Sequence, residues 1–118
     1  MKVTKFEDLI VWQKSIDIAV ILHKHFEKHT DFGYSNQIRR AAFSISNNIA
    51  EGFERSTNKD FIRFLNIAKG SCSEVKSMLY LGFKLGYYTD IEMKKYFNLI
   101  DEIGKMIYSL TKSLNIKT

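Results

Sequence analysis

The sequence predicts an all-α fold: an antiparallel up-down-up-down four-helix bundle, one domain spanning residues 1–118. Three observations predict it. The chain has no proline and only six glycines, so long helices run without breakers. Apolar residues recur at three- and four-residue steps in four segments separated by three short breaks, and short connections make consecutive helices antiparallel neighbours. No stretch alternates apolar and polar residues as a half-buried strand does. A chain of this length suffices for one domain and buries roughly two-thirds of its unfolded surface.

The first helix is predicted over residues 7–28, with Leu9, Trp12, Ile16, Ala19, His23 and Phe26 on its inward face. The break HTDFGYS at 29–35 offers Gly33 as a turn residue and Ser35 as N-cap of a second helix over 36–52. Ile38, Ala41, Ala42, Ile45 and Ile49 form its inward face. After FERST, the Thr57 hydroxyl is positioned to cap a third helix over 58–85, with Asp60 near the positive end of the dipole. Phe61, Leu65, Ala68, Cys72, Val75 and Leu79 turn inward, and Gly86 stands where a left-handed C-terminal cap is wanted. TDIE at 89–92 reads as a capping box and opens a fourth helix that runs to about residue 114 through Tyr96, Ile100, Ile103 and Ile107.

Three helices carry more apolar surface than an inward stripe of a little over 100° needs. Val11, Ile18 and Leu22 form a second stripe on the first helix, Ile67, Met78 and Leu81 flank the third, and Leu99, Met106 and Tyr108 widen the fourth. Extended apolar patches mark interaction sites, so this excess predicts self-association, with Val11, Ile18 and Leu22 in the interface.

The second helix contains NQIRRAAFSISNNIAEGFER, residues 36–55, an unusual density of hydrogen-bonding side chains for a core helix. Arg40, Ser44, Asn47 and Glu51 recur at steps of four, three and four, opposite Ile38 and Ile45, with Gln37 and Asn48 alongside. A solvated face would more naturally be lysine and glutamate. Arginine forks and amides favour directed bonds, so Arg40, Ser44, Asn47, Asn48 and Glu51 are read as a polar network at a subunit interface. A phosphate-binding role for Arg39, Arg40, Arg55 and Lys59 ranks second.

The net charge is +5, with pI about 9.3. Residues 57–86 hold Lys59, Arg63, Lys69, Lys76 and Lys84 against Asp60 and Glu74, so +3 of the excess lies in that quarter. A lone cysteine suits a reducing compartment, the N-terminus lacks a secretory apolar run, and IAVIL at 18–22 is too short to span a bilayer. The expectation is a soluble cytoplasmic protein. His25 and His29 are four apart but lack a third ligand by motif, so no metal site is assigned. Cys72 reads as a core residue, Glu51 and Glu74 have no substrate depot, and Tyr87-Tyr88 reads as a staple for its turn. No catalytic residue and no cofactor is predicted.

FEDLIVWQKSIDIA, QIRRAAFSISNNIAEGFERST and FIRFLNIAKGSCSEV closely resemble the four-helix-bundle proteins encoded in intervening sequences of bacterial 23S rRNA genes. Ser46 departs from that pattern, which commonly has proline there. The resemblance implies a left-handed antiparallel bundle that assembles into a ring-like homo-oligomer, a pentamer. It also implies kinship with the accessory protein of diversity-generating retroelements, a basic ring that works with a reverse transcriptase and nucleic acid. Arg39, Arg40, Asn48, Glu51, Gly52 and Arg55 match its motif positions.

These readings converge on a non-enzymatic, self-assembling bundle that binds RNA, or DNA, through backbone contacts. Arg39, Arg40, Arg55, Lys59, Arg63, Lys69, Lys76 and Lys84 would supply them, with steep salt dependence and little sequence preference. The alternative is a homo-oligomeric protein–protein scaffold without nucleic-acid binding.

Overall fold

A computed structural model describes residues 2–117 of the chain. A 3-10 turn, Phe6–Asp8, precedes four helices: α1 (Ile10–His25), α2 (Phe32–Phe53), α3 (Asn58–Lys84) and α4 (Asp90–Lys117). Each helix packs on its two neighbours around the ring, and neither diagonal pair comes close. The rod measures 45 × 21 × 20 Å, and the 28 residues of α4 at about 1.5 Å each span nearly all of that length.

Local signals account for most boundaries. Thr57 accepts from the Asp60 amide at 3.1 Å and starts α3. Thr89 and Glu92 exchange bonds of 2.9 and 3.1 Å as the capping box requires. Gly86 ends the α3 turn at φ 83°, in the left-handed region that favours glycine. The start of α2 differs from the prediction: its N-cap is Asp31, which accepts from the Tyr34 amide at 3.1 Å. Gly33 and Ser35 therefore lie inside the first turn. Ser35 is buried, and its hydroxyl is spent on the Asp31 carbonyl at 2.9 Å.

The core face of α1 also differs. Val11 is 4% exposed, and Ile18 and Leu22 are 0% exposed, within a single protomer. They form the inward stripe with Ser15, Ala19 and Phe26, whereas Trp12 and Ile16 are half-buried and His23 is exposed. The assignment of Val11, Ile18 and Leu22 to a subunit interface is therefore corrected: their own bundle covers them. The polar Ser15 in mid-stripe disguises this face. It is tolerated because its hydroxyl donates to the Val11 carbonyl at 2.7 Å, leaving no orphaned donor.

One end of the rod is closed by aromatic and polar groups. The Tyr34 hydroxyl lies 2.7 Å from that of Tyr88 and also donates to the Met78 carbonyl. Tyr87 donates to Asp31 Oδ2 at 2.5 Å. His25 is half-buried: its Nε2 meets the Tyr87 carbonyl at 2.8 Å and its Nδ1 the Tyr96 hydroxyl at 3.1 Å. A carbonyl only accepts, so in the neutral ring Nε2 carries the hydrogen and Nδ1 accepts from Tyr96. Gly82 is required here, since a Cβ would stand 2.6 Å from Tyr88 Cε2 and closer still to the Tyr34 hydroxyl.

Candidate nucleic-acid interface

The side chains with most to offer an anionic partner collect where α3 packs on α4. At 100° per residue, Lys69, Lys76 and Lys84 share an arc of about 80° on α3, and Lys94, Lys105 and Lys112 one of about 20° on α4. Of these, Lys69 and Lys76 on α3 and Lys105 and Lys112 on α4 border the seam between the two helices. Asp101 and Asp90 lie about 20° and 40° outside the α4 arc, while Asp60 and Glu74 fall on the α2 side of α3.

Contacts across the seam fix the register. Lys76 Nζ lies 2.7 Å from Asp101 Oδ1 on α4, whose Oδ2 is held within its own helix by Lys105 Nζ at 3.1 Å. The hydrogen bond from Lys76, then that from Lys105, hold the Asp101 carboxyl below the usual carboxylate range. Lys69 Nζ sits 4.8 Å from the centre of the Tyr108 ring and Lys112 Nζ 5.5 Å, while Lys76 Nζ is 5.5 Å from that of Phe97. Tyr80 meets Phe97 edge to face at 5.2 Å. Tyr80 and Tyr108 are 56% and 51% exposed, so aromatic surface alternates with ammonium groups along the seam. A groove of about 330 Å³ runs there, lined by Lys69, Ser73, Lys76, Gly104 and Tyr108, with Cys72 and Ile100 beneath. Burial pushes the Cys72 thiol up to about 12, so it is not a thiolate nucleophile near neutrality.

Of the predicted basic residues, the structure brings Lys69 and Lys76 to the seam and gathers Arg55 and Arg63 about the Phe64 ring, away from it. Arg39 is bound to its own helix, at 3.3 Å to the Ser35 carbonyl and 3.0 Å to Asn36 Oδ1. Arg55 and Arg63 each lie 4.6 Å from the Phe64 ring centre and pair with Glu51 at 3.4 Å and Asp60 at 3.7 Å. Lys59 and Lys84 are exposed. Arg40 lines a different groove, of about 550 Å³ between α2 and α3, with Gln37, Ser44, Ser71 and Glu74.

The polar stripe of α2 is largely satisfied within the protomer. Ser44 Oγ accepts from Ser71 Oγ at 2.9 Å and from Asn48 Nδ2 at 3.0 Å, and Asn48 also donates to the Ser44 carbonyl at 2.8 Å. Asn47 borders an apolar groove of about 480 Å³ between α1 and α2, with Ile16, Ala19, Val20, His23 and Phe43. Sequence reasoning assigns no site role to Tyr80 on α3 or to Phe97, Lys105, Tyr108 and Lys112 on α4. For the α4 residues the signal is the spacing Phe97, Asp101, Lys105, Tyr108, Lys112, which lays them along one face of that helix.

Among the described residues, no helix is long and apolar enough to cross a membrane, and no group of three or more His, Cys, Asp or Glu side chains could hold a metal ion.

No curated protein matches the chain. A protein of unknown function from the S23 ribosomal protein family of Bacteroides thetaiotaomicron VPI-5482 has a similar crystal structure, with a TM-score of 0.82 at 32% identity, covering 87% of this chain and 99% of that one. The sequence pattern of the 23S rRNA-intervening sequence proteins matches residues 7–109, from the 3-10 turn well into α4. On that match, over most of its length, the chain belongs to the 23S rRNA-intervening sequence protein family.

Proposed function

We propose that this protein is a non-enzymatic, self-assembling bundle that binds RNA along the α3–α4 seam through phosphate contacts. The observation that carries the reading is the collection of Lys69 and Lys76 from α3 with Lys105 and Lys112 from α4 along that seam, against the single carboxylate of Asp101. Lysine is a mobile point charge suited to phosphates rather than base edges, so the binding is strong at low salt and indifferent to sequence. The family's name links its members with 23S rRNA, which makes rRNA fragments the first probe.

Filter binding of rRNA fragments over a salt series tests it. Affinity falls linearly on a log–log plot, by roughly 0.7 in slope for each phosphate contacted on a single strand. The double variant Lys69→Glu/Lys105→Glu loses most of the binding, and Arg63→Glu, about 120° around α3 from Lys69 and paired with Asp60, loses little. Equal losses from both, or no retention at low salt, overturn the reading.

Self-assembly belongs to the same proposal, relocated to the α1–α2 face. Val20 and Phe43 are exposed beside Ile16 and Ala19, and Asn47 stands at the edge of that groove. The family resemblance implies a ring of five. Sedimentation velocity at micromolar concentration is expected to show an oligomer for the native chain and a monomer for Val20→Glu/Phe43→Glu. A native chain that sediments as a monomer ends this part of the proposal and leaves RNA binding standing.

A further inference from the structure

Resting on that reading, we propose that the α3–α4 groove selects unpaired nucleotides, taking a base onto the ring of Tyr108 while Lys69, Lys105 and Lys112 hold the flanking phosphates. Phosphate contacts alone do not distinguish a single strand from a duplex, so the discriminating feature must be something a duplex cannot use. Tyr108 is such a feature. Its ring is half-exposed at the mouth of the groove, and the groups over it are two ammonium ions, Lys69 from across the seam and Lys112 one turn along α4.

The surroundings suit a flat guest. Gly104 lies one turn before Tyr108, and a Cβ built on it would meet nothing within 4 Å, so the surface beside the ring is bare. The groove's volume of about 330 Å³ falls at the lower end of the range of roughly 300–1,000 Å³ for sites that take small organic groups. Two helices in contact have axes roughly 8–10 Å apart, so their seam admits a single base edgewise, whereas a duplex would ride on its rim. A base brings a π-face to Tyr108 and its phosphates offer the displaced ammonium groups a partner of opposite charge, which is the arrangement of sequence-tolerant single-strand binders.

A second station follows the same pattern. Tyr80 packs against Phe97, and Lys76 lies over the Phe97 ring. Phe97 and Tyr108 are eleven residues apart on α4, or about 16 Å along the groove, so one extended strand passes both.

Fluorescence anisotropy with three RNA probes of equal length tests the inference: a single strand, the same backbone made abasic, and a duplex. The native chain binds the single strand tighter than the other two. Tyr108→Ala lowers single-strand affinity roughly 5- to 100-fold, to the abasic level, with the salt slope unchanged. Tyr108→Phe keeps the dependence on bases because it keeps the ring face. Helical circular dichroism confirms that the variants fold. Equal affinity for the single strand and the abasic backbone, or a duplex preference that Tyr108→Ala leaves intact, overturns base selection and leaves phosphate binding standing. Failure to bind any of the three probes, or tighter binding of polyglutamate than of RNA, overturns both.

Discussion

The hydroxyls of Tyr34 on α2 and Tyr88 in the α3–α4 connection lie 2.7 Å apart, and Gly82 of α3 makes room for both rings. Alanine at Gly82 would gain about 1 kcal/mol of helix propensity, yet its methyl would drive into the tyrosine pair. Overpacking of this kind costs about 1–3 kcal/mol, so Gly82→Ala is expected to lower the urea midpoint at an unchanged m-value.

Gly70 has the opposite expectation. It lies on the exposed side of α3, and nothing stands within 4 Å of the position its Cβ would take. Gly70→Ala should therefore stabilise the protein by about 1 kcal/mol, read as a higher melting temperature.

The tyrosine pair predicts alkaline sensitivity. Burial pushes Tyr34 from 10.0 up to about 12 and also raises Tyr88. Groups raised in the folded state add stability that is complete below the unfolded value of about 10 and is lost as pH climbs through the folded one. Urea midpoints should fall between about pH 10 and 12. Tyr34→Phe should be weaker near neutrality, having lost its bonds to Met78 and Tyr88, but decline less steeply in that window.

Acid acts through different groups. Asp31 is lowered chiefly by its bond from Tyr87, Glu92 by the Thr89 amide, and Asp101 by Lys76 and Lys105. Groups lowered on folding add stability that is present above their ordinary values, 3.8 for aspartate and 4.5 for glutamate, and is lost as pH falls through the folded values. Denaturation midpoints should therefore drop below about pH 4.5, less so for Asp101→Asn.

Asp101→Asn has a second expected effect, on binding. It frees Lys76 and Lys105 from the carboxylate they share, so RNA affinity should rise several-fold and the salt slope steepen. Unchanged affinity in a filter assay would remove those two lysines from the interface.

Caps and breakers made the fold legible. Thr57, Gly86 and the Thr89–Glu92 box each act locally, and each marks its helix end in the structure. Phase is harder to read. Two stripes on α1 had helical spacing, and the one interrupted by Ser15 was the buried one, because a hydroxyl that bonds its own helix costs little inside. At the candidate site, the charge excess of α3 picked out Lys69 and Lys76. Their companions Lys105, Tyr108 and Lys112 lie a helix away in sequence, and no local pattern says how α4 is rotated against α3. Arg39, Arg40 and Arg55 turn to separate neighbours, because adjacent helix positions point about 100° apart and Arg55 lies beyond the end of α2.

Cys72, the single thiol of the chain, lies under the lysine groove at the junction of α3 and α4. An alkylating reagent must wait for those two helices to part, so the unmodified protein carries its own stopwatch. The labelling rate times the breathing of that seam, and a guest lodged above the sulfur should slow it.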